Sequence, residues 1–489
     1  MSGPLAPLGE DVEQFEVASE IERPPEAEAV QAAKPAAGTS GFVRRVTAIF
    51  ATRVVILPLS LLTSVLIAKF LGPTNRGAYV AVATLPGLLS AFALFGLPNA
   101  VNFFAGRGNS VASLVRASLI FTAAVSAVLV AVVWVALPWL EHSFLRAAAQ
   151  EDALARVMLL SLPVGMLAAF GGTLLYGRQQ VKVYNLILVG QAVFSLVGAV
   201  LLLGVFRFGV AGAVATSVLV NVAVAIGVMA EVSRLRRRDT SGEAASIRRL
   251  VSYGARVYPA SITGYFNARA DVYILQALAI STTVAEKSVG LYGFAVTMAE
   301  LVFYVPESVA TMFLPRVAAS THADASAMLV RISRLTMLTT VLVAVALTPV
   351  AFVGIHLVLP GYVDCLPAFY AILPGVVSLS VAKVMTSYLG GRGRPGPISV
   401  GASISLAVNV VSNFLLIPPL GIVGASLSSV VSYTALAVMM VFAASRVSGQ
   451  SIVALCVPRP AEFKILVAAA SRIAGQVAAR AGRTLKAAR

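Results

Sequence analysis

Between residues 44 and 444 the chain is a succession of apolar runs, most near the roughly 20 residues that a helix needs to cross a bilayer. In lipid no water satisfies backbone N–H and C=O groups, so such runs must close their hydrogen bonds internally, as helices. They predict twelve spans, at about 44–70, 78–105, 114–139, 154–176, 184–206, 209–231, 252–280, 288–315, 334–358, 365–390, 397–418 and 421–444. Charged residues are only 12% of the chain, against about 25% in soluble domains. The expected class is an all-α polytopic membrane protein.

The spans form two sets of six. Gly209-Val-Ala-Gly212-Ala returns as Gly421-Ile-Val-Gly424-Ala, Leu162-Pro163 as Leu373-Pro374, Gly77-Ala-Tyr79 as Gly290-Leu-Tyr292, and Tyr176-Gly177-Arg178 as Leu389-Gly390-Gly391-Arg392. Four echoes in one order, at an offset of about 212 residues, indicate two repeat-related six-helix lobes. Many carriers are built from such halves and rock around a site between them.

The expected domains are an N-terminal lobe at 42–232, a basic linker at 233–251 and a C-terminal lobe at 252–444. The linker is long enough to let the lobes move independently. Residues 1–41 hold eight acidic side chains from Glu10 to Glu28 against Arg23 and Lys34. With no basic start before an apolar core they are not a signal peptide, and they read as a disordered acidic cytoplasmic tail. Residues 445–489 are basic. Phe463, Leu466, Val467, Ala470, Ile473 and Val477 recur there at helical spacing. Two readings stay open, an amphipathic helix on an anionic leaflet and a frayed basic tail.

Loop charge sets the orientation. One set of loops carries Arg44, Arg107, Arg178, Arg236, Arg316 and Arg392; the other carries Glu141, Glu151, Asp152, Glu286 and Asp364. Positive loops stay inside, which places both termini in the cytoplasm; the membrane expected is the plasma (inner) membrane. The net charge of +16 therefore belongs to loops and tail, and no nucleic-acid motif accompanies it. Two cysteines and three scattered histidines are too few for a disulfide framework, a zinc site or a triad. Gly391-Arg-Gly393-Arg-Pro-Gly396 has glycine spacing like a dinucleotide fingerprint but no βαβ unit around it, and no Walker A lysine occurs. No catalytic residue, metal or cofactor is expected.

Ionisable residues within spans then carry the information, because charge at bilayer depth is costly and faces protein or water. Arg53 lies in the first span; Arg256, Arg269 and Asp271 in the seventh; Glu300 and Glu307 in the eighth; Lys383 in the tenth. The repeat sets Arg53 within a turn of Arg269, and two guanidinium groups suit a bidentate grip on phosphate. Tyr258, Tyr265, Arg269, Tyr273 and Gln276 share one side of a 3.6-residue helix. The expected substrate-binding set is therefore Arg53, Arg256, Arg269, Tyr265, Tyr273 and Gln276. Asp271 points elsewhere, with Asn267 at i−4 as a partner. Glu300 and Glu307 share a face and, with Asp271, are the ion-coupling candidates. The plainer reading is that these charges form static pairs between helices.

Ala68-Lys-Phe-Leu-Gly-Pro73, Gly77-Ala-Tyr79, Phe95-Gly-Leu-Pro-Asn-Ala100 and the Phe414–Gly424 stretch resemble Wzx-type polysaccharide flippases of the multidrug/oligosaccharidyl-lipid/polysaccharide exporter superfamily. The resemblance covers about residues 42–445. It implies outward movement of a polyprenyl-pyrophosphate-linked oligosaccharide by alternating access through a cationic lumen. Polysaccharide polymerase and glycosyltransferase machinery would be its partners. A cation-coupled multidrug exporter and a lipid II flippase are the alternatives within transport. A membrane glycosyltransferase or polymerase would need a carboxylate-bearing outer loop longer than about Leu140–Asp152.

Overall fold

The computed structural model describes residues 39–143, 145–239, 243–460 and 462–463, with the backbone alone before Val55. The expected acidic tail falls outside the described residues except for its last three positions, and so does the basic tail from 464 onward.

Every regular element among the described residues is a helix. The N-terminal half comprises α1 (Thr39–Ala93), α2 (Leu97–Gly106), α3 (Val111–Ser143), α4 (Asp152–Leu160), α5 (Leu162–Gly177), α6 (Val181–Gly198) and α7 (Gly209–Arg238). The C-terminal half comprises α8 (Ile247–Ala277), α9 (Thr282–Ala319), α10 (His322–Val358), α11 (Leu366–Gly391), α12 (Pro395–Ser448) and the short α13 (Ile452–Cys456). Nine helices among the described residues are long and apolar enough to cross a membrane. Two of them, α1 and α12, leave helical geometry at Gly72 (φ 72°) and Gly421 (φ 57°). The first break falls between two expected spans and the second at the first residue of the expected twelfth. The polar α8 holds the expected seventh span but is not among the nine. Outward faces expose Val128, Val135, Leu219, Ile226 and Val350, which suits a lipid surround.

The sequence echoes prove to be one packing device used twice. Gly209 (φ 58°) and Gly421 (φ 57°) each turn the chain into a helix through the left-handed region that glycine enters freely. Three residues on, a Cβ at Gly212 would lie 3.0 Å from Leu202 O, and one at Gly424 would lie 2.0 Å from Leu416 O. Farther along each half, Gly177 packs on Asn102 O and Ala105, while Gly391 packs on Leu314 O and Val317. Tyr79 shares a hydrogen bond with Ser217 at 2.8 Å, and their repeat partners Tyr292 and Ser429 meet at Asp271. Two equivalent lobes result, α1–α7 and α8–α12.

The lobes meet along a seam of α2 and the second segment of α1 against α8. Phe103 stacks on Tyr253 at 4.7 Å, Phe95 meets Tyr258 tilted at 4.8 Å and Phe92 meets Phe266 edge to face at 5.8 Å. The Tyr273 hydroxyl donates to Thr84 O at 3.2 Å. At the end bearing the acidic loops the backbones themselves touch. A Cβ on Gly77 would sit 1.7 Å from Glu286 O, and one on Gly290 would sit 1.9 Å from Pro73 O.

The described part of the linker is anchored at both of its ends. The α7 helix continues through its start, to Arg238, and α8 begins at Ile247. At the basic end Asp239 accepts from Arg178 and from Val111 N, both at 2.8 Å. The Glu243 carbonyl accepts from Ser110 N and Asn109 Nδ2. Asp239 and Glu243 are thus each anchored to residues of the turn between α2 and α3 or of the turn after α5.

Candidate transport cavity

A cavity of about 620 Å³ lies in the N-terminal lobe, with Tyr304 as its lining residue from the C-terminal lobe. Ser60, Thr63 and Ser64 on the first segment of α1 supply one wall, Gln191 and Ser195 on α6 another, Arg76 and Tyr79 one end, and Tyr304 on α9 the far side. Hydroxyl and amide groups at helical spacing on α1 (60, 63, 64) and α6 (191, 195) fall on single faces, so polar stripes run through a lining that Ile56, Ile67, Leu188 and Ala192 otherwise make apolar.

On α9 the stripe around Tyr304 carries two ion pairs. Glu300 Oε1 stands 4.0 Å from Arg269 Nη2, with their side chains 53% and 43% exposed. Glu307 Oε2 stands 3.1 Å from Lys383 Nζ, which also lies over the Phe303 ring at 5.2 Å. Exposed pairs of the first kind contribute about 0–1 kcal/mol. Arg269 is thus lightly held, whereas Lys383 is fixed by both a carboxylate and a ring face. The positions 300, 304 and 307 lie on one side of α9, so each pair sits within a turn of Tyr304, the α9 residue that lines the cavity.

The expected binding residues scatter. Arg53 lies on α1, but its side chain is outside the described residues. Arg256 is exposed on α8. Tyr265 and Tyr273 share a 2.7 Å hydrogen bond and turn to the other lobe, Tyr273 onto Thr84 O and Tyr265 against Gly87. Gln276 is fully buried, and neither amide atom has a hydrogen-bond partner. The shared face of α8 is therefore mostly seam, with Arg269 at its open margin.

Asp271 is buried, as are Tyr292 and Ser429. Its carboxylate accepts from the Tyr292 hydroxyl, from Val272 N at 2.9 Å and from Ser429 Oγ at 3.4 Å. Asn267, expected as its partner, pairs instead with Ser405 of α12 at 3.2 Å, because α12 packs closely along α8 and offers hydroxyls there. The repeat sharpens the contrast between lobes. The N-terminal counterpart of this cluster, Tyr79–Ser217, has Pro58 and Leu59 where α8 has Asp271.

Arg76 was not among the expected residues. Its side chain is buried at 5% exposure in a polar end of the cavity. It donates to Gly290 O of the other lobe at 2.8 Å and to Ser64 Oγ at 3.5 Å, and it lies over Phe294 at 5.1 Å. An arginine in a turn between two spans ordinarily reads as solvated. Its neighbour Gly77, one of the repeated residues, was the available signal that this turn is packed.

A family model described as polysaccharide biosynthesis protein matches residues 42–320. No curated protein sequence matches. Among solved structures, an inward-facing multidrug resistance MATE family transporter of the MOP superfamily superposes with a TM-score of 0.68 at 17% identity, covering 80% of this chain and 95% of that one. The outward-facing form of a MATE family transporter gives 0.62 at 16% identity, over 83% and 96%. The lipid II flippase MurJ in an inward closed conformation gives 0.61 at 12% identity, over 82% and 87%. At these identities the likeness establishes the fold, two lobes of membrane-spanning helices. With more than half its length matched, the chain belongs to the polysaccharide biosynthesis protein family.

Proposed function

We propose that the protein flips a polyprenyl-pyrophosphate-linked oligosaccharide from the inner to the outer leaflet of the plasma membrane, by alternating access and for polysaccharide export. The observation that carries this reading is a cavity with hydroxyl and amide stripes in the N-terminal lobe, closed by Tyr304 of α9, together with the lightly held guanidinium of Arg269, whose partner Glu300 lies one turn from Tyr304. A cavity of 620 Å³ is within the range that holds a ligand of several rings. The hydroxyl and amide lining fits sugars, and Arg269 fits a pyrophosphate, whose oxygens match its planar fork. Asp271, Glu300 and Glu307 are the groups through which an ion gradient would act. The basic loops put both termini in the cytoplasm. Arg53 and Arg256 complete the proposed anion path, while Tyr265, Tyr273 and Gln276 support α8 from the seam. Polysaccharide polymerase and glycosyltransferase machinery would be the functional partners.

The test uses purified protein in proteoliposomes that carry a fluorescent lipid-linked oligosaccharide on one leaflet, with lipid II and a cationic dye as competitors. Translocation of the lipid-linked oligosaccharide, unaffected by the dye, is the expected result. Transport of lipid II alone, or of the dye alone, would replace this reading by a peptidoglycan-precursor flippase or a multidrug exporter. The fold neighbours named as MurJ and as MATE transporters make these the specific rivals.

A further inference from the structure

We propose that Arg76 is an anion site for phosphoryl groups and that the same guanidinium latches the lobes together. The inference rests on the flippase reading for the substrate that would use it, but its geometry stands independently. Arg76 is buried, lines the cavity and forms no ion pair among the described residues. Burying a charge without a counter-charge is unfavourable, and hydrogen bonds to neutral acceptors offset only part of the cost. Guanidinium has five N–H donors. One meets Gly290 O at 2.8 Å, and one meets Ser64 Oγ only at 3.5 Å. Phe294, Tyr362 and Cys365 stand near the group, and no carboxylate among the described residues pairs with it. A cavity that ends on an under-neutralised arginine, with Ser64 and Tyr79 beside it, selects an anion of phosphate or pyrophosphate type.

The position of that site gives occupancy a mechanical consequence. Gly290 belongs to the C-terminal lobe, and the Arg76 hydrogen bond crosses at the point where Gly77 and Gly290 bring the two backbones into contact. Parting the lobes here must break it. An anion in the cavity competes for the same donors and gains most where the guanidinium has been released from Gly290. A ligand shifts an equilibrium by its differential affinity for the two states, so a phosphoryl group favours separation at the acidic end while its absence favours closure.

Hydrogen–deuterium exchange on the full chain in zwitterionic nanodiscs tests this, reading residues 73–80 and 282–294. The probes are inorganic pyrophosphate and undecaprenyl pyrophosphate, with undecaprenol and an ionic-strength-matched chloride as controls. Pyrophosphate is expected to raise exchange in both segments saturably. Arg76→Gln should show raised exchange without ligand and a midpoint weakened about tenfold or more, as for losing a hydrogen bond between charged groups. Arg76→Lys, which keeps the charge, should respond at intermediate concentration and serves if the neutral variant does not fold. A response to both probes, or to the polyprenyl form alone, upholds the site and tells a free phosphoryl ligand from a lipid headgroup. Wild-type exchange indifferent to both probes, or wild-type behaviour of Arg76→Gln, overturns it. Failure of wild-type protein to flip lipid-linked sugar, with the exchange response intact, would sink the flippase reading alone.

Discussion

Arg269 is the side chain on which the substrate reading turns. Its only ion-pair partner among the described residues is Glu300 at 4.0 Å, and both are about half exposed, so the pair contributes little to holding α8 on α9. Arg269→Ala is expected to abolish flipping at normal protein levels. Arg269→Lys should slow it about tenfold or more, since a charge-assisted hydrogen bond is worth roughly 1.5–3 kcal/mol and an ammonium lacks the fork. Initial rates in proteoliposomes at matched protein density check both. Low expression with unchanged turnover per molecule would make Arg269 a packing residue. Asp271 calls for a different readout, because it is buried under Tyr292 and Ser429. Asp271→Asn should leave ligand binding within a few-fold and remove the response of transport to an imposed ion gradient; retention of that response would exclude it as the coupling group. Arg269, Glu300 and Glu307 were legible from their depth in apolar runs. Arg76 was not, because its burial is made by Gly290, Phe294 and Tyr362, residues more than two hundred positions away. Helical periodicity grouped Gln276 with Arg269, but it could not say that neighbouring helices cover the acidic-end turn of α8.

Among the elements, the spans and their breaks could be read because lipid admits one solution for an apolar run and because Gly-Pro and Pro-Pro-Leu-Gly interrupt helices. The anchoring of Asp239 and Glu243 after α7 could not, since their partners Arg178, Asn109, Ser110 and Val111 are presented by remote turns. The segment after α12 is held in a similar way. Arg334 donates to Ala454 O at 2.7 Å and pairs with Glu462 at 3.3 Å, and Ser333 donates to Leu455 O at 2.8 Å. Burial works against ionising Glu462, but hydrogen bonds from Arg459 N and Arg334 outweigh it and hold the carboxyl below its usual value of about 4.5. A depressed folded value means that the contribution is complete above the unfolded value and disappears as pH falls through the folded one. Limited proteolysis between Ile452 and Phe463 should therefore be slow and constant from neutral pH to about pH 5 and accelerate below the folded value. Glu462→Gln should be cut readily at neutral pH with little further change on acidification. A wild-type profile in that variant would show that the ion pair does not secure the segment.

At the scale of the whole molecule, topology and motion are the open quantities. Cysteines placed at Arg394 and Thr283, in a chain lacking Cys365 and Cys456, should label from opposite sides of the membrane; labelling of both from outside would refute the alternating spans. The backbone contact of Gly77 with Glu286 and of Gly290 with Pro73 has a practical use. It exists only while the lobes touch at the acidic end, and there it has no room for a methyl group, which at Gly290 would lie 1.9 Å from Pro73 O. Once the lobes part, the same methyl meets nothing from that partner. Gly290→Ala is thus a wedge one carbon wide, disfavouring one member of the conformational cycle and sparing the other. A single added atom group would hold the acidic-end-open form long enough for its structure to be determined, with no ligand, antibody or cross-link to stabilise it.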